Sequence, residues 1–279
     1  MARDESFSDN GIVIYMEKIK YFNLDYTGPD KKESLAEYEA AIKKYQENIC
    51  EIAEKIFRPE NELGFGQTAI VCAVPEVQNV CCKKLKLENG KTPINDLSQE
   101  SEYLYKLTQI HPEVMVPIPI SVIEVEKKVQ KINSKGEKVL VNVKEQALVM
   151  EQIQGYSIRD FFEGKIDNPE EFFRGFNIDL FFKKLEDFLN FIHSEPFAIH
   201  HRDLHAGNIM IEAETHTPVV IDFGSAAVQY GDEDIYRHTT MKKNSFGQMS
   251  QSTEIIKPDL EHLREIKQKM KMELEVLTK

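Results

Sequence analysis

Apolar residues recur at Leu35, Tyr38, Ile42, Tyr45, Ile49, Ile52 and Ile56, alternately three and four positions apart. That spacing draws one stripe along a helix over 35–57, with Ser34 and Glu37 as a capping box at its start and Pro59 closing its end. A seam of this kind either docks on the domain that follows or pairs with a partner or second copy. The irregular charges beside it favour internal docking. Upstream, Ile12-Val13-Ile14-Tyr15 reads as a short strand or irregular segment that ends before Gly28-Pro29. From Asn61 the texture changes to strands: Glu62 to Val71 with two glycines on a tight turn, then Val80-Cys81-Cys82-Lys83. A helix is expected between Pro93 and His111, on Leu97, Tyr103, Leu104 and Leu107. Val114 to Val125 and Val139 to Met150 read as strands joined by the turn Asn133-Ser134-Lys135-Gly136.

After Met150 the period turns helical. Asp179 opens a helix carrying Phe182, Leu185, Leu189 and Ile192 on one face, ending before Pro196. A last helix from Pro258 to Lys279 shows Leu260, Leu263, Ile266, Met270, Leu274 and Leu277 on a broad stripe. The pattern divides the chain into an extension over 1–60, a strand-rich part over 61–152 and a helix-rich part over 153–279. An α+β fold follows.

Composition narrows the functions. The chain has 279 residues, 41% hydrophobic and 29% charged, enough for a large core. A net charge of −12 argues against a dedicated nucleic-acid binder, which needs a basic surface. There is no apolar run of about 18 residues, so no membrane span is expected. The start, Met1-Ala2-Arg3-Asp4-Glu5, lacks the apolar stretch of a secretory signal. Cys50, Cys72, Cys81 and Cys82 have neither zinc nor disulfide spacing, which points to a reduced, cytoplasmic setting.

The chemistry concentrates in His201-Arg202-Asp203-Leu204, with Asn208 four residues on and Ile221-Asp222-Phe223-Gly224 after an apolar run. Two carboxylates and an amide on short, strand-braced loops suit a site that holds hard cations against a polyphosphate and steers a hydroxyl into line. In this order and spacing the segments resemble the catalytic loop and metal motif of the protein-kinase-like superfamily, over roughly Glu62 to Leu263. The resemblance implies a bilobal fold: a small antiparallel-sheet N-lobe with one helix, a truncated and mainly helical C-lobe, and an extra N-terminal helix. It implies ATP and Mg²⁺ as cofactors. Asp203 would orient the substrate hydroxyl and take its proton, while Asn208 and Asp222 would share the metal ions.

Other positions follow by the same resemblance. Lys83 stands in Val80-Cys81-Cys82-Lys83 where the family has its strand lysine. Lys84 is its neighbour, but alternation along a strand lets only one of the two face the site, and the motif register favours Lys83. Its partner is a glutamate on the next helix. Glu100 and Glu102 both qualify chemically, and the intervals to Leu104 and Leu107 favour Glu100. Gly64, Phe65, Gly66 and Val71 match the phosphate-covering loop, with Ala69 in place of its third glycine. Met150, Glu151 and Ile153 fall on the hinge that would meet adenine. Arg202 would meet a phosphorylated residue, or the standing charge of Asp232-Glu233-Asp234, which otherwise reads as a solvated acidic turn.

Two departures bear on the substrate. His205 stands two after Asp203, where serine/threonine kinases usually carry lysine, and Asp-Leu-His is similar to aminoglycoside- and choline-type kinases. No Ala-Pro-Glu lies between Gly224 and Asp259, so the usual peptide shelf is missing. Asp259 itself stands where the family's buried aspartate anchors the catalytic loop, and the remaining 20 residues imply a minimal lobe. The expectation is an atypical serine/threonine protein kinase. A small-molecule phosphotransferase and a non-enzymatic pseudokinase are its alternatives. The compact plan with an added helix also resembles kinases that bacteria deliver into host cells, which would make a host protein the substrate.

Overall fold

In the computed structural model, residues 5–7, 12–15, 20–21, 43–44, 47, 56, 62–65, 69–74, 77–85, 97–108, 114, 116–132, 137–228, 237–243, 249–255 and 258–277 are described. The chain divides into two compact units, Met1–Ile110 with Pro117–Ile153, and His111–Val116 with Gln154–Lys279.

The first unit is built on an eight-stranded sheet: β1 Glu5–Phe7, β2 Ile12–Tyr15, β3 Lys20–Tyr21, β4 Glu62–Phe65, β5 Ala69–Ala73, β6 Val80–Leu85, β7 Pro119–Ile132 and β8 Lys138–Glu151. The order is β1-β2-β7-β8-β6-β5-β4, with β3 also on β7, and all pairings are antiparallel. Ile12–Tyr15 is thus a strand that lengthens the sheet. At the end of β8, Ala147, Leu148, Val149 and Met150 are all buried, so both faces are covered there and the run is continuously apolar. The strand expected from Val114 begins only at Pro119, although Val114, Val116 and Ile118 are buried. Pro117 and Pro119 lack the N–H that a ladder needs. Helix α1, Leu97–Thr108, buries Leu97, Tyr103, Leu104 and Leu107 and contacts β7 and β8. Of the 35–57 stripe, Ile56 is helical and buried, and Lys43, Lys44 and Glu47, which lie off the seam, are helical and exposed. The rest of that helix, the 133–136 turn and Asp232-Glu233-Asp234 lie outside the described residues.

The second unit runs through β9 Gly155–Ser157, α2 Ile158–Phe162, α3 Pro169–Phe172, α4 Ile178–His193, β10 Ile199–His200, β11 Ile209–Glu212, β12 Pro218–Val220, β13 Ala227–Val228, β14 Arg237–Lys243, β15 Met249–Ile255 and α5 Asp259–Leu277. Ser157 and Asp160 close a reciprocal capping box on α2. Asn177 caps α4, its side chain accepting from the Leu180 N–H at 3.0 Å, two residues ahead of the expected Asp179. Asp179 instead ties α4 to α5 through Lys267 (2.9 Å) and Lys271 (2.8 Å), which hold its carboxyl down at about 2. Phe181, Phe182, Leu185, Phe188, Leu189 and Ile192 are buried on α4, and Leu263, Ile266 and Met270 on α5. Strands β12-β11-β9 form one small sheet. A Cβ on Gly155 would lie 2.1 Å from the Ile211 carbonyl oxygen, so only glycine lets β9 approach β11.

Candidate active site

In the first unit the chemistry gathers at Lys83. It is centred on β6, opposite Val71 on β5 and Leu148 on β8, so these three side chains share one face of the sheet. The next row on that face is Ala73, Cys81 and Met150. Lys83 Nζ donates to both carboxylate oxygens of Glu100, at 2.8 and 2.7 Å. Both residues are nearly sealed, 5% and 2% exposed, whereas Lys84 is half-buried and Glu102 exposed. The periodicity of α1 explains the choice: Glu100 lies on the same buried stripe as Leu97, Leu104 and Leu107. A forked, buried pair holds only because each charge offsets the other's desolvation.

Met150 to Gln152 is braced by backbone. The Glu151 N–H donates to Ile118 O at 2.9 Å and its carboxylate accepts from the Ile118 N–H at 3.2 Å. The Gln152 N–H donates to Asn79 O at 2.9 Å. The Ile153 N–H and carbonyl have no hydrogen-bond partner among the described residues. Gly64 and Phe65 lie on β4, facing Val71 and Ile70, and Gly66 lies outside the described residues. Burial pushes the Cys81 thiol up to about 12, and a hydrogen bond with Cys72 followed by burial raises Cys82, so neither supplies a thiolate.

In the second unit a hairpin does the positioning. Ile209 faces Val220 and Ile211 faces Pro218, which brings Asn208 just before β11 beside Ile221-Asp222 just after β12. The Ile221 N–H donates to Asn208 O at 3.0 Å. Asn208 Nδ2 donates to Asp203 O at 2.9 Å, closing the catalytic-loop segment over the 3-10 turn Ala206–Asn208. With Nδ2 committed, the Asn208 Oδ1 is left as a hard oxygen donor. Asp222 sits at φ 64° and ψ 67°, its carboxylate accepting from the Gly224 N–H at 3.3 Å. Asp203 is exposed, and its N–H donates to His201 Nδ1 at 3.3 Å. His201 is buried, and its Nε2 lies 2.9 Å from the Ile221 carbonyl, which can only accept; the two partners therefore define an Nε2–H tautomer. Its ring packs on Phe223 at 4.8 Å.

Beneath the loop lies Asp259, the first residue of α5 and fully buried. Its carboxylate accepts from the His201 N–H at 2.8 Å and the Arg202 N–H at 3.0 Å, and meets His193 Nε2 at 3.0 Å. Arg202 has φ 65°, which costs a non-glycine residue roughly 1–3 kcal/mol, and the bond from its N–H helps hold it there. Burial pushes Asp259 up, but the hydrogen bond from His193, the charges of His201 and His193, and the His201 N–H outweigh it and keep the carboxyl below its usual range. His193 stacks on His200 at 4.2 Å with planes 19° apart. One ligand atom from each of His193, His200 and Asp259 lies within 4.8 Å of the others, and Asp259 anchors the loop through its bonds to the His201 and Arg202 N–H groups. His193 has no sequence signal, because it is 66 residues from its partner.

A family model for the protein kinase domain matches residues 57–248. The chain belongs to that family, and the resemblance and the α+β kinase-like fold read from the sequence are borne out. Phosphotransfer by a kinase is the activity that membership supports, with protein as the class of substrate. No curated protein matches the chain. Among the described residues no helix is long and apolar enough to cross a membrane. Helix α5, with Asp259, lies beyond the matched stretch.

Proposed function

We propose that this chain is an ATP- and Mg²⁺-dependent protein kinase of atypical type that phosphorylates serine or threonine hydroxyls. The observation that carries the reading is the β11–β12 hairpin, which sets Asn208 and Asp222 side by side with the Asp203 loop tied to Asn208. Asn208 Oδ1 and the Asp222 carboxylate are oxygen donors of the type Mg²⁺ takes, and the metal when bound offsets phosphate charge. Asp203, on an exposed loop, accepts the proton of the attacking hydroxyl. Lys83, kept in place by Glu100, offers a cation for phosphate oxygens, and Gly64 and Phe65 at the end of β4 belong to the segment that would cover them. The open backbone groups of Ile153, beside Glu151 and with Met150 behind, suit the edge of an adenine ring. Arg202 orients the loop through its backbone and carries a charge that an acidic or phosphorylated segment can meet.

His205 and the missing Ala-Pro-Glu favour a second reading, transfer to a hydroxylated small molecule. Radiolabel transfer from ATP onto mixed protein acceptors is expected, lost in Asp203→Ala. Label passing only to a panel of hydroxylated metabolites overturns the protein-kinase reading. Nucleotide binding with no transfer to either makes the chain a binding module.

A further inference from the structure

Phosphotransfer leaves one cation beside the catalytic loop unused: Arg159, the second residue of α2. The turn that carries it is locked. The Asp160 carboxylate accepts from the Ser157 N–H at 3.0 Å and from the Ser157 hydroxyl at 2.6 Å, and stands 3.9 Å from Lys165. The acid next to Arg159 in sequence is thus committed to the cap. Helix α2 packs on the 3-10 turn Ala206–Asn208, which follows Asp203 in the loop.

The guanidinium is held there by shape. A Cβ on Gly207 would be 2.8 Å from Arg159 Cζ and 3.0 Å from Nε and Nη2, so Gly207 is glycine to admit the guanidinium face, not to free the backbone. Nη2 lies 3.3 Å from His205 Nδ1, which also accepts from the Gly207 N–H at 3.0 Å. A guanidinium and a peptide N–H only donate, so the His205 proton sits on Nε2 and the ring is neutral. One charged donor is therefore spent on a neutral nitrogen, and among the described residues no carboxylate pairs with Arg159. Arg159 and Asp203 are both exposed, and the charges of both reach the His205 ring.

We propose that Arg159 selects protein substrates carrying an acidic side chain within a few residues of the acceptor serine or threonine, and that its remaining N–H groups grip that carboxylate. The inference rests on the protein-kinase reading and names the substrate class of that site. A guanidinium presents a planar fork that matches the two oxygens of a carboxylate, and this one is already oriented, so little side-chain freedom is lost on contact. The net charge of −12 does not turn such a substrate away. Beyond about 10 Å, exposed charges are largely screened at 0.1 M salt, whereas a pair in contact keeps its attraction.

Initial rates on matched serine peptides, with aspartate, alanine or lysine placed in turn at each position flanking the acceptor, test this. In the wild type, kcat/KM for the best aspartate peptide exceeds that of its alanine counterpart by about three- to tenfold, the worth of a forked but exposed ion pair, and the difference lies in KM. Higher ionic strength narrows it. Arg159→Met removes the preference, and Arg159→Glu turns it toward lysine. Comparing peptides on one variant cancels whatever the substitution does to His205 or to turnover. Affinity for MgATP, measured by calorimetry, is the same in Arg159→Met as in the wild type. A wild type that labels aspartate, alanine and lysine peptides alike, or a preference that survives in Arg159→Met, overturns the proposal while leaving protein phosphorylation intact. A fall in MgATP affinity in Arg159→Met assigns the guanidinium to the nucleotide and overturns it too. A wild type that labels no peptide of the set sinks both readings.

Discussion

Lys83 and Asp203 are both placed with care, but by opposite means. Lys83 is held by another charge: the Glu100 carboxylate, inside a nearly sealed environment, with both oxygens committed. Asp203 is exposed and held through its backbone, by a chain of bonds running from His201 and Asn208 down to Asp259. The first device fixes a side chain at the cost of a buried ion pair. The second leaves the Asp203 carboxylate open and puts the buried charge, that of Asp259, one layer below. A cation needed for static contact suits the first, and a base that exchanges a proton suits the second.

Substitutions break this contrast in graded steps. Asp203→Ala should lower phosphoryl transfer by about 10²–10⁴-fold while leaving the melting temperature near that of the wild type, because the carboxylate is exposed. A large loss of stability there would mean that the loop depends on the side chain after all. Glu100→Gln should destabilise the fold by about 3–5 kcal/mol in denaturant melts, since it strands the Lys83 ammonium in a buried place. Glu102→Gln, on the exposed face of α1, should stay within about 0.5 kcal/mol. If charge reversal at Glu102 abolishes transfer and Glu100→Gln spares it, the register of α1 is misread.

Asp259→Asn sharpens the other side. It keeps one oxygen but turns a donor toward the loop, stranding one buried N–H at a cost of about 1–3 kcal/mol, and it should slow transfer through a loosened loop. The smallest effect is expected from pH. Burial, then the neighbouring His193, holds His200 below its usual value of 6.5. The unfolded chain therefore takes up that proton first. The stability from neutral His200 is complete above about pH 6.5 and is lost as pH falls through the lower folded value. Melts across this range should decline on the acid side, and His200→Phe, which keeps a stacked ring, should flatten the decline.

Local arrangement was legible where spacing alone decides geometry. Strand alternation limits the choice to one of Lys83 and Lys84 and the motif register picked Lys83, while the intervals to Leu104 and Leu107 picked Glu100, which lies on the buried stripe of α1. Asn208 and Asp222 were legible from the order and spacing of their two motifs, and the structure joins them by a short hairpin. The pair β14 and β15 was not legible. Arg237-His238-Thr239-Thr240-Met241-Lys242-Lys243 shows no apolar alternation, and the strands pair only with each other among the described residues. The position of His205 was noticed from the sequence, but its tautomer was not.

By itself the sequence determined the family, strands β4 to β8 with helices α1, α4 and α5, and the residue types brought to the candidate site. These rest on periodicity and on motifs a few residues long, where the covalent chain already limits the outcome. Asp259 as the anchor of the loop was read from the resemblance, but tertiary structure alone decided that His193 meets it and that Arg159 meets His205 across 46 residues. Such contacts are settled by packing of α4 against α5 and of α2 against the loop, through burial that no local window contains. The sequence supplied the imidazole at 205, and only the fold put a guanidinium behind it.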